Sequence, residues 1–319
     1  MWKPVCFSLA FVLVACGAEP IDAPVALPDA PAADTTEAPE RLAVLSWGDL
    51  LSQEKPSPSV EIRIGEGETD IVDLWLPETP GPHPVVLMVH GGCWQKKIAD
   101  RTLMNYGAED LRQRGMAVWN IEYRGVDEAG GGYPGTYLDV AMAADALRDH
   151  AADYDLDLTR IAGTGHSAGG HLVTWLSTRA NLAKDSPLFS SDPIEMVGVI
   201  NVGGLADLEL SMRVTERSCM GDVLDALTGE SSEARPDVFS DTSPARLLPI
   251  SAQHVSLSGD LDRISPVGLA HAFTAAVNTA GGTGEAVIIR GNNHTDLIAP
   301  GTEAFEVQAE ILADWLGLD

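Results

Sequence analysis

Gly165-His166-Ser167-Ala168-Gly169-Gly170 is the stretch of sequence that decides the fold. It places a serine among small residues, after a short apolar run and before a longer apolar run that suits a helix. A strand that turns sharply into a helix holds a serine hydroxyl out where a base can reach it, but side chains two positions before and after that serine would collide. Gly165 and Gly169 remove those side chains. The pattern therefore predicts a nucleophile elbow at Ser167.

Strand and helix patterns alternate on both sides of the elbow. Before it, an opening hairpin is predicted at 60–64 and 71–76, and buried strands are predicted at 85–89, 116–123 and 161–164. Helices are predicted at 100–114 and 138–150. After it, strands are predicted at 196–202, 255–258 and 285–289, and helices at 168–180, 266–280 and 303–316. Residues 204–240 are expected to be irregular and polar, as in a lid-like insertion. The alternation predicts an α/β fold with a mostly parallel, doubly wound sheet.

A serine nucleophile needs a base, and the base needs a carboxylate that orients it. Of the eight histidines, His294 lies in a loop directly after the last predicted strand, at the edge where the ends of parallel strands meet. It is therefore the predicted base. The carboxylate is expected between the serine and the histidine in the chain. The residues alone leave Asp260, Asp262 and Asp207 open for this role.

Composition excludes some classes of function. The chain has 319 residues, is 45% hydrophobic and carries a formal net charge of -27. It can bury one large core, and without a basic cluster it is a poor partner for nucleic acid. No His/Cys or His/carboxylate spacing indicates a metal site, and no glycine-rich dinucleotide motif follows a strand directly. We therefore expect neither a metal nor an organic cofactor.

The N-terminus reads as a targeting segment. Lys3 precedes an apolar run from Val5 to Val14, which is too short for an ordinary membrane span. The ending Leu13-Val14-Ala15-Cys16 resembles a bacterial lipobox, which implies a signal peptide at 1–15 and lipidation of Cys16. Residues 16–40 are rich in Ala, Pro and acidic residues, which predicts a disordered tether. Residues 41–319 are predicted to form a single domain. The alternative is an ordinary secretory signal cut nearby; both place the protein outside the cytoplasm.

Two cysteines remain after this processing. Cys6 leaves with the signal and Cys16 carries the lipid, so Cys93 and Cys219 are left in an oxidising compartment. That setting favours a disulfide between them, with two buried free thiols as the alternative.

Several motifs together resemble one superfamily. They are His90-Gly91-Gly92-Cys93-Trp94, Asn120-Ile121-Glu122-Tyr123-Arg124, the elbow, Gly259-Asp260-Leu261-Asp262-Arg263-Ile264-Ser265-Pro266, and Gly291 to His294. The set is similar to the α/β-hydrolase superfamily over roughly residues 60–318. Within it, the chain is most similar to the bacterial branch of feruloyl and acetyl-xylan esterases (BD-FAE-like), and less closely to kynurenine formamidase.

The resemblance assigns further roles. It implies that Asp262 is the acid of the triad, and that the backbone N–H groups of Gly92, Cys93 and Ala168 form the oxyanion hole. It also implies that Cys93 pairs with Cys219. From the residues alone, the glycines after His90 could equally make only a tight turn.

The predicted function is that of an exported, lipid-anchored serine esterase acting on a small-molecule or polysaccharide-linked ester, with Ser167, Asp262 and His294 as its catalytic residues. Amide hydrolysis of the kynurenine formamidase or peptidase type needs the same machinery. A non-catalytic binding protein on a hydrolase scaffold is the alternative from another class.

Overall fold

The structure is a computed structural model that describes residues 44–214, 219–221 and 223–318. The predicted signal, tether and Cys16 lie outside these residues. The strands are β1 (Val60–Arg63), β2 (Ile71–Trp75), β3 (His83–Val89), β4 (Ala117–Ile121), β5 (Leu156–His166), β6 (Gly198–Val202), β7 (Gln253–Gly259) and β8 (Gly284–Ile289). They form an eight-stranded sheet in the order β1-β2-β4-β3-β5-β6-β7-β8. β3 to β8 are parallel, whereas β1 and β2 form an antiparallel hairpin whose second strand runs antiparallel to β4.

Most helices occupy the connections between strands, whereas the first precedes β1 and the last follows β8. They are α1 (Trp47–Leu51), α2 (Asn105–Gln113), α3 (Gly135–Asp145), α4 (Leu147–His150), α5 (Ala168–Thr178), α6 (Leu208–Val214), α7 (Leu224–Thr228), α8 (Val267–Thr279) and α9 (Glu303–Leu316). The predicted hairpin and alternation are confirmed. The helix expected at 138–150 is instead divided into α3 and α4, and the one expected at 100–114 begins as a 3₁₀ turn over Arg101–Met104.

Hydrophobic clusters cover both faces of the sheet. On β3, Val85, Leu87 and Val89 belong to the cluster on one face, together with residues of α3 and α5. Val86 and Met88 belong to the cluster on the other face, with residues of α2 and α9. A strand buried on both faces must be apolar throughout, which explains the unbroken apolar run in the sequence.

The segment 204–240 differs from its prediction. It was expected to be irregular and polar, but it contains α6 and α7, and Leu205, Leu208 and Leu227 are buried in a core cluster. Helices this short give too weak a periodic pattern to be recognised from sequence. Within the same segment, Cys219 lines the cavity described below. In the described part of the chain, no helix is long and apolar enough to cross a membrane.

Candidate active site

Ser167 lies at the turn between β5 and α5. Its backbone has φ 55° and ψ -117°, a conformation that an L-residue holds only when its surroundings enforce it. The Ser167 N–H donates to the carbonyl of Val202 on β6 at 2.8 Å, which fixes the turn to the sheet. The chain thus has the sharp strand-to-helix turn that the elbow pattern predicts.

Glycines beside the serine permit this turn. A Cβ atom on Gly165 would overlap the carbonyl oxygen of Gly169. A Cβ atom on Gly169 would overlap the carbonyl oxygens of Val89 and His90. The two glycines are therefore required sterically, for the reason inferred from the sequence.

Asp262 and His294 are joined after β7 and β8. Asp262 Oδ2 lies 2.6 Å from His294 Nδ1, and the Asp262 side chain is fully buried. The other carboxylate oxygen accepts the N–H groups of Ile264 at 2.8 Å and Ser265 at 3.0 Å. With the carboxylate held in this way, the Nδ1 of His294 carries the proton and its Nε2 is left with a lone pair.

Ser167 and His294 line one cavity of about 310 Å³. Ser167 is 3% exposed and His294 7% exposed, so both side chains are accessible mainly through this cavity. Among the described residues, no hydrogen bond joins the Ser167 hydroxyl to His294. In ligand-free enzymes this contact is often long and tightens when substrate binds.

The loop after β3 passes directly beside the elbow. Three consecutive residues have positive φ: Gly92 at 111°, Cys93 at 53° and Trp94 at 53°. A Cβ atom on Gly91 would lie 3.3 Å from the Cβ of Ser167. Gly92 and Cys93 line the same cavity as Ser167, and Ala168 is the first residue of α5. The structure thus brings together all three residues predicted for the oxyanion hole.

Glu122 contacts residues of this loop, and no role was predicted for it from the sequence. It is buried at the end of β4, with Oε1 at 2.9 Å from His90 Nε2 and Oε2 at 2.7 Å from Lys96 Nζ. Burial opposes its charge, but His90 and Lys96 outweigh this and hold the pKa of Glu122 well below its usual range. The His90 ring also stacks on Tyr123 at 4.2 Å. The signal available in the sequence was a single acidic residue within an apolar strand pattern, because a buried carboxylate needs a partner.

His166, directly before Ser167, contacts the loop that carries His294. Its Nε2 lies 3.0 Å from the carbonyl oxygen of His294, so Nε2 donates to that oxygen. The two rings lie 4.3 Å apart. Burial, and then the electrostatic effect of the neighbouring His294 ring, lower the pKa of His166 well below its usual value. His166 is therefore neutral and holds the backbone of the His294 loop.

A disulfide joins Cys93, in the loop after β3, to Cys219. Next to it, Trp94 is fully buried, and its Nε1 donates to Nδ1 of His171 at 3.2 Å. His171 Nε2 in turn donates to the carbonyl of Thr242 at 2.8 Å. Burial lowers the pKa of His171 to about 4, so the ring is neutral and can accept from Trp94. Trp94 is thus a packing residue.

The other carboxylates considered from the sequence accept backbone N–H groups. Asp260 Oδ1 accepts the N–H of Gly291 at 2.6 Å, in an exposed loop. Asp207 Oδ1 accepts the N–H of Leu210 at 2.9 Å, at the start of α6. Among residues 44–214, 219–221 and 223–318, no group of three or more His, Cys, Asp or Glu side chains is placed to hold a metal ion. The expected absence of a metal stays a prediction.

Comparisons with known proteins identify a family and relatives named as esterases. The sequence model of the BD-FAE family matches residues 72–276. "Esterase LipC" of Mycobacterium tuberculosis (strain ATCC 25618 / H37Rv) is 27% identical over 221 residues, which are 66% of this chain and 52% of LipC. The chain therefore spans about half the length of that curated relative.

Solved structures share the fold. Esterase B from Lactobacillus rhamnosis HN001 has a TM-score of 0.70 at 19% identity, covering 83% of this chain and 88% of its own. A truncated carbohydrate esterase from gut microbiota has a TM-score of 0.68 at 19% identity, covering 83% of this chain and 99% of its own. These similarities confirm the predicted α/β-hydrolase fold.

Proposed function

Because this chain belongs to the BD-FAE family, we propose that it is a serine hydrolase that cleaves carboxylic esters. One observation supports this most directly. Asp262 is bonded to His294 at 2.6 Å, and His294 shares a cavity with Ser167 on a strained elbow. That geometry suits nucleophilic attack on a carbonyl carbon, and the relatives named esterase point to esters.

The mechanism uses the same groups in both half-reactions. Nε2 of His294 takes the proton from Ser167 as Oγ attacks the carbonyl carbon, and Asp262 stabilises the imidazolium. The N–H groups of Gly92, Cys93 and Ala168 donate to the oxyanion. His294 then protonates the departing alcohol, which leaves an acyl ester on Ser167. Water attacks this ester with His294 again as base, and the carboxylic acid and free serine result.

Export is the second part of the proposal. The lipobox-like ending at Cys16 favours a lipid anchor, and the domain from 41 to 319 would follow the tether 16–40. The Cys93–Cys219 disulfide supports an oxidising compartment, because cytosolic thiols are kept reduced. Mass spectrometry of the protein from its native membrane tests the anchor: a lipid on Cys16 is expected, and an unmodified N-terminus elsewhere contradicts it.

Hydrolysis of p-nitrophenyl acetate tests the activity. The purified protein should hydrolyse it, and Ser167→Ala should remove the activity. Labelling by a fluorophosphonate probe separates an enzyme from a binding protein on the same scaffold, because only an activated serine reacts. An unlabelled, inactive parent protein would overturn the proposal. N-formylkynurenine serves as the amide substrate, and faster cleavage of it than of every ester would favour the formamidase alternative.

A further inference from the structure

The short helix α1 lies at the candidate active site, although the family match begins only at residue 72. The indole ring of Trp47 lies 6.0 Å from the ring of His166 and 6.3 Å from that of His294. Trp47 and Leu51 both line the cavity that contains Ser167. A segment outside the matched region therefore supplies part of the wall around the nucleophile.

Hydrogen bonds fix α1 in this place. Asp296 Oδ1 accepts the N–H of Leu45 at 2.9 Å, and Nδ2 of Asn293 donates to the Leu45 carbonyl at 2.9 Å. Both partners flank His294 in the chain. Ser46 caps the helix, and its side chain and Asp49 bond reciprocally to each other's backbone N–H groups. The wall is thus tied to the loop that carries the base.

The cavity suits a small apolar group. Its apolar lining residues include Trp47, Leu51, Ile98, Ala99, Leu103 and Ile264. At about 310 Å³ it is at the small end of the range of ligand pockets. Trp47 is 36% exposed, Leu51 51% and Ile98 54%. Single exposed apolar side chains are ordinary, but these three border one cavity, and a bound apolar group would cover them.

We propose that Trp47 and Leu51 are specificity-determining residues, which close one side of the cavity and restrict one substituent of the ester to a short apolar chain. This rests on the proposed function. Each additional methylene that a hydrophobic pocket accepts or rejects changes kcat/KM by roughly 10- to 200-fold. Removing part of the wall should therefore change the preferred chain length rather than the chemistry.

Two substrate series test this. One varies the acyl group from acetate to octanoate as p-nitrophenyl esters, and the other varies the alcohol from ethyl to octyl as acetates. Trp47→Ala and Leu51→Ala should raise the ratio of kcat/KM for the longest chain to that for the shortest by about 10-fold or more in one series. The series that responds identifies the substituent that the cavity holds. Trp47→Phe, which removes less volume, should shift the same ratio by less.

Leu138→Ala is the matched control, because Leu138 is 42% exposed on α3 and does not line the cavity. It should keep the parent ratios. Unchanged ratios in both series for Trp47→Ala and Leu51→Ala, in a protein whose activity depends on Ser167, overturn this inference alone. A parent protein that hydrolyses no ester overturns the proposed function and this inference together. If Trp47→Ala does not fold, Leu51→Ala decides the outcome.

Discussion

Asp262 lies 2.6 Å from His294 although 32 residues separate them in the chain. The two residues meet because they follow the neighbouring parallel strands β7 and β8, whose carboxyl ends lie at the same edge of the sheet. Both oxygens of Asp262 are bonded, one to His294 and the other to two backbone N–H groups. The carboxylate therefore has one orientation available, and the imidazole is held in one tautomer.

Asp262→Asn tests this relationship. We expect kcat for ester hydrolysis to fall about 10 000-fold, because an amide in that position no longer selects the productive tautomer of His294. Asp260→Asn is the matched control, since Asp260 Oδ1 accepts the N–H of Gly291 in an exposed loop and an amide oxygen can accept the same bond, so the variant should keep the parent kcat within a few-fold. Steady-state kinetics of both variants check the assignment. A larger loss in Asp260→Asn than in Asp262→Asn would reverse it.

Glu122→Gln tests how the loop after β3 is held. Breaking a buried ion pair from one side lowers the free energy of unfolding by up to about 3 to 5 kcal/mol, because the partner, here the Lys96 ammonium, is left without its carboxylate. A displaced loop should also lower kcat by up to about 100-fold, with a smaller effect on KM. Denaturant unfolding and steady-state kinetics measure the two effects.

Glu61→Gln is the control for that variant. Arg101 lies 3.5 Å from Glu122 and also pairs with Glu61 at 2.8 Å, but the Glu61 side chain is 52% exposed. Its loss should cost less than about 1 kcal/mol and leave kcat unchanged. Equal effects of the two substitutions would show that the contacts of Glu122 do not hold the loop.

Replacing both cysteines, as Cys93→Ser with Cys219→Ser, tests the disulfide. The free energy of unfolding should fall by about 2 to 5 kcal/mol, because the unfolded chain regains the freedom that the cross-link removes. Thermal unfolding with and without reductant measures this. Reductant should lower the Tm of the parent protein and leave that of the double variant unchanged. If the Tm of the parent protein is the same with and without reductant, the disulfide is absent.

The stability of the protein should depend on pH through His171. Its pKa is lowered from the ordinary 6.5 to about 4 in the folded protein. Between these values the unfolded chain binds a proton that the folded protein does not, so the free energy of unfolding decreases as pH falls from 6.5 to about 4. The contribution is about 3 kcal/mol, at about 1.4 kcal/mol per pKa unit. Denaturant unfolding across this range measures it.

His171→Gln should make that decrease shallower, because it removes the titrating ring. Part of the decrease should remain, since burial also lowers the pKa of His166 and that of His254, the latter to about 3. His271→Gln changes a partly exposed histidine on α8 and should keep the parent slope. Identical slopes in all three proteins would refute the role of His171.

Local sequence patterns were sufficient to predict the elbow and the succession of strands along the chain. The two glycines around Ser167 are needed for steric reasons that act within five residues, so the sequence reveals them directly. The position of His294 near Ser167 was also predictable, because the loop after the last strand lies at the edge where the carboxyl ends of the parallel strands meet. Choosing Asp262 over Asp260 needed the family resemblance, because both residues occupy the same loop and only the fold separates their contacts.

Contacts between distant segments were not predictable in this way. α1 has a short capping signal at Ser46 and Asp49, but nothing local indicates that Trp47 packs beside His294, about 250 residues later. In the sequence Glu122 looks like an ordinary charged residue at the end of a strand, and only the fold brings His90 and Lys96 beside it. The buried leucines of residues 204–240 likewise become core residues only once α5 and the sheet are assembled.

The disulfide also divides the chain topologically. Cys93 and Cys219 are 126 residues apart, and the ring they close contains Ser167, whereas Asp262 and His294 lie on the open chain that follows. A single peptide-bond cleavage between residues 94 and 218 therefore cannot release a fragment from the oxidised protein. The two pieces would migrate together in denaturing electrophoresis until a reductant is added, whereas a cut between residues 220 and 261 would leave Ser167 on one piece and Asp262 and His294 on the other under any redox condition.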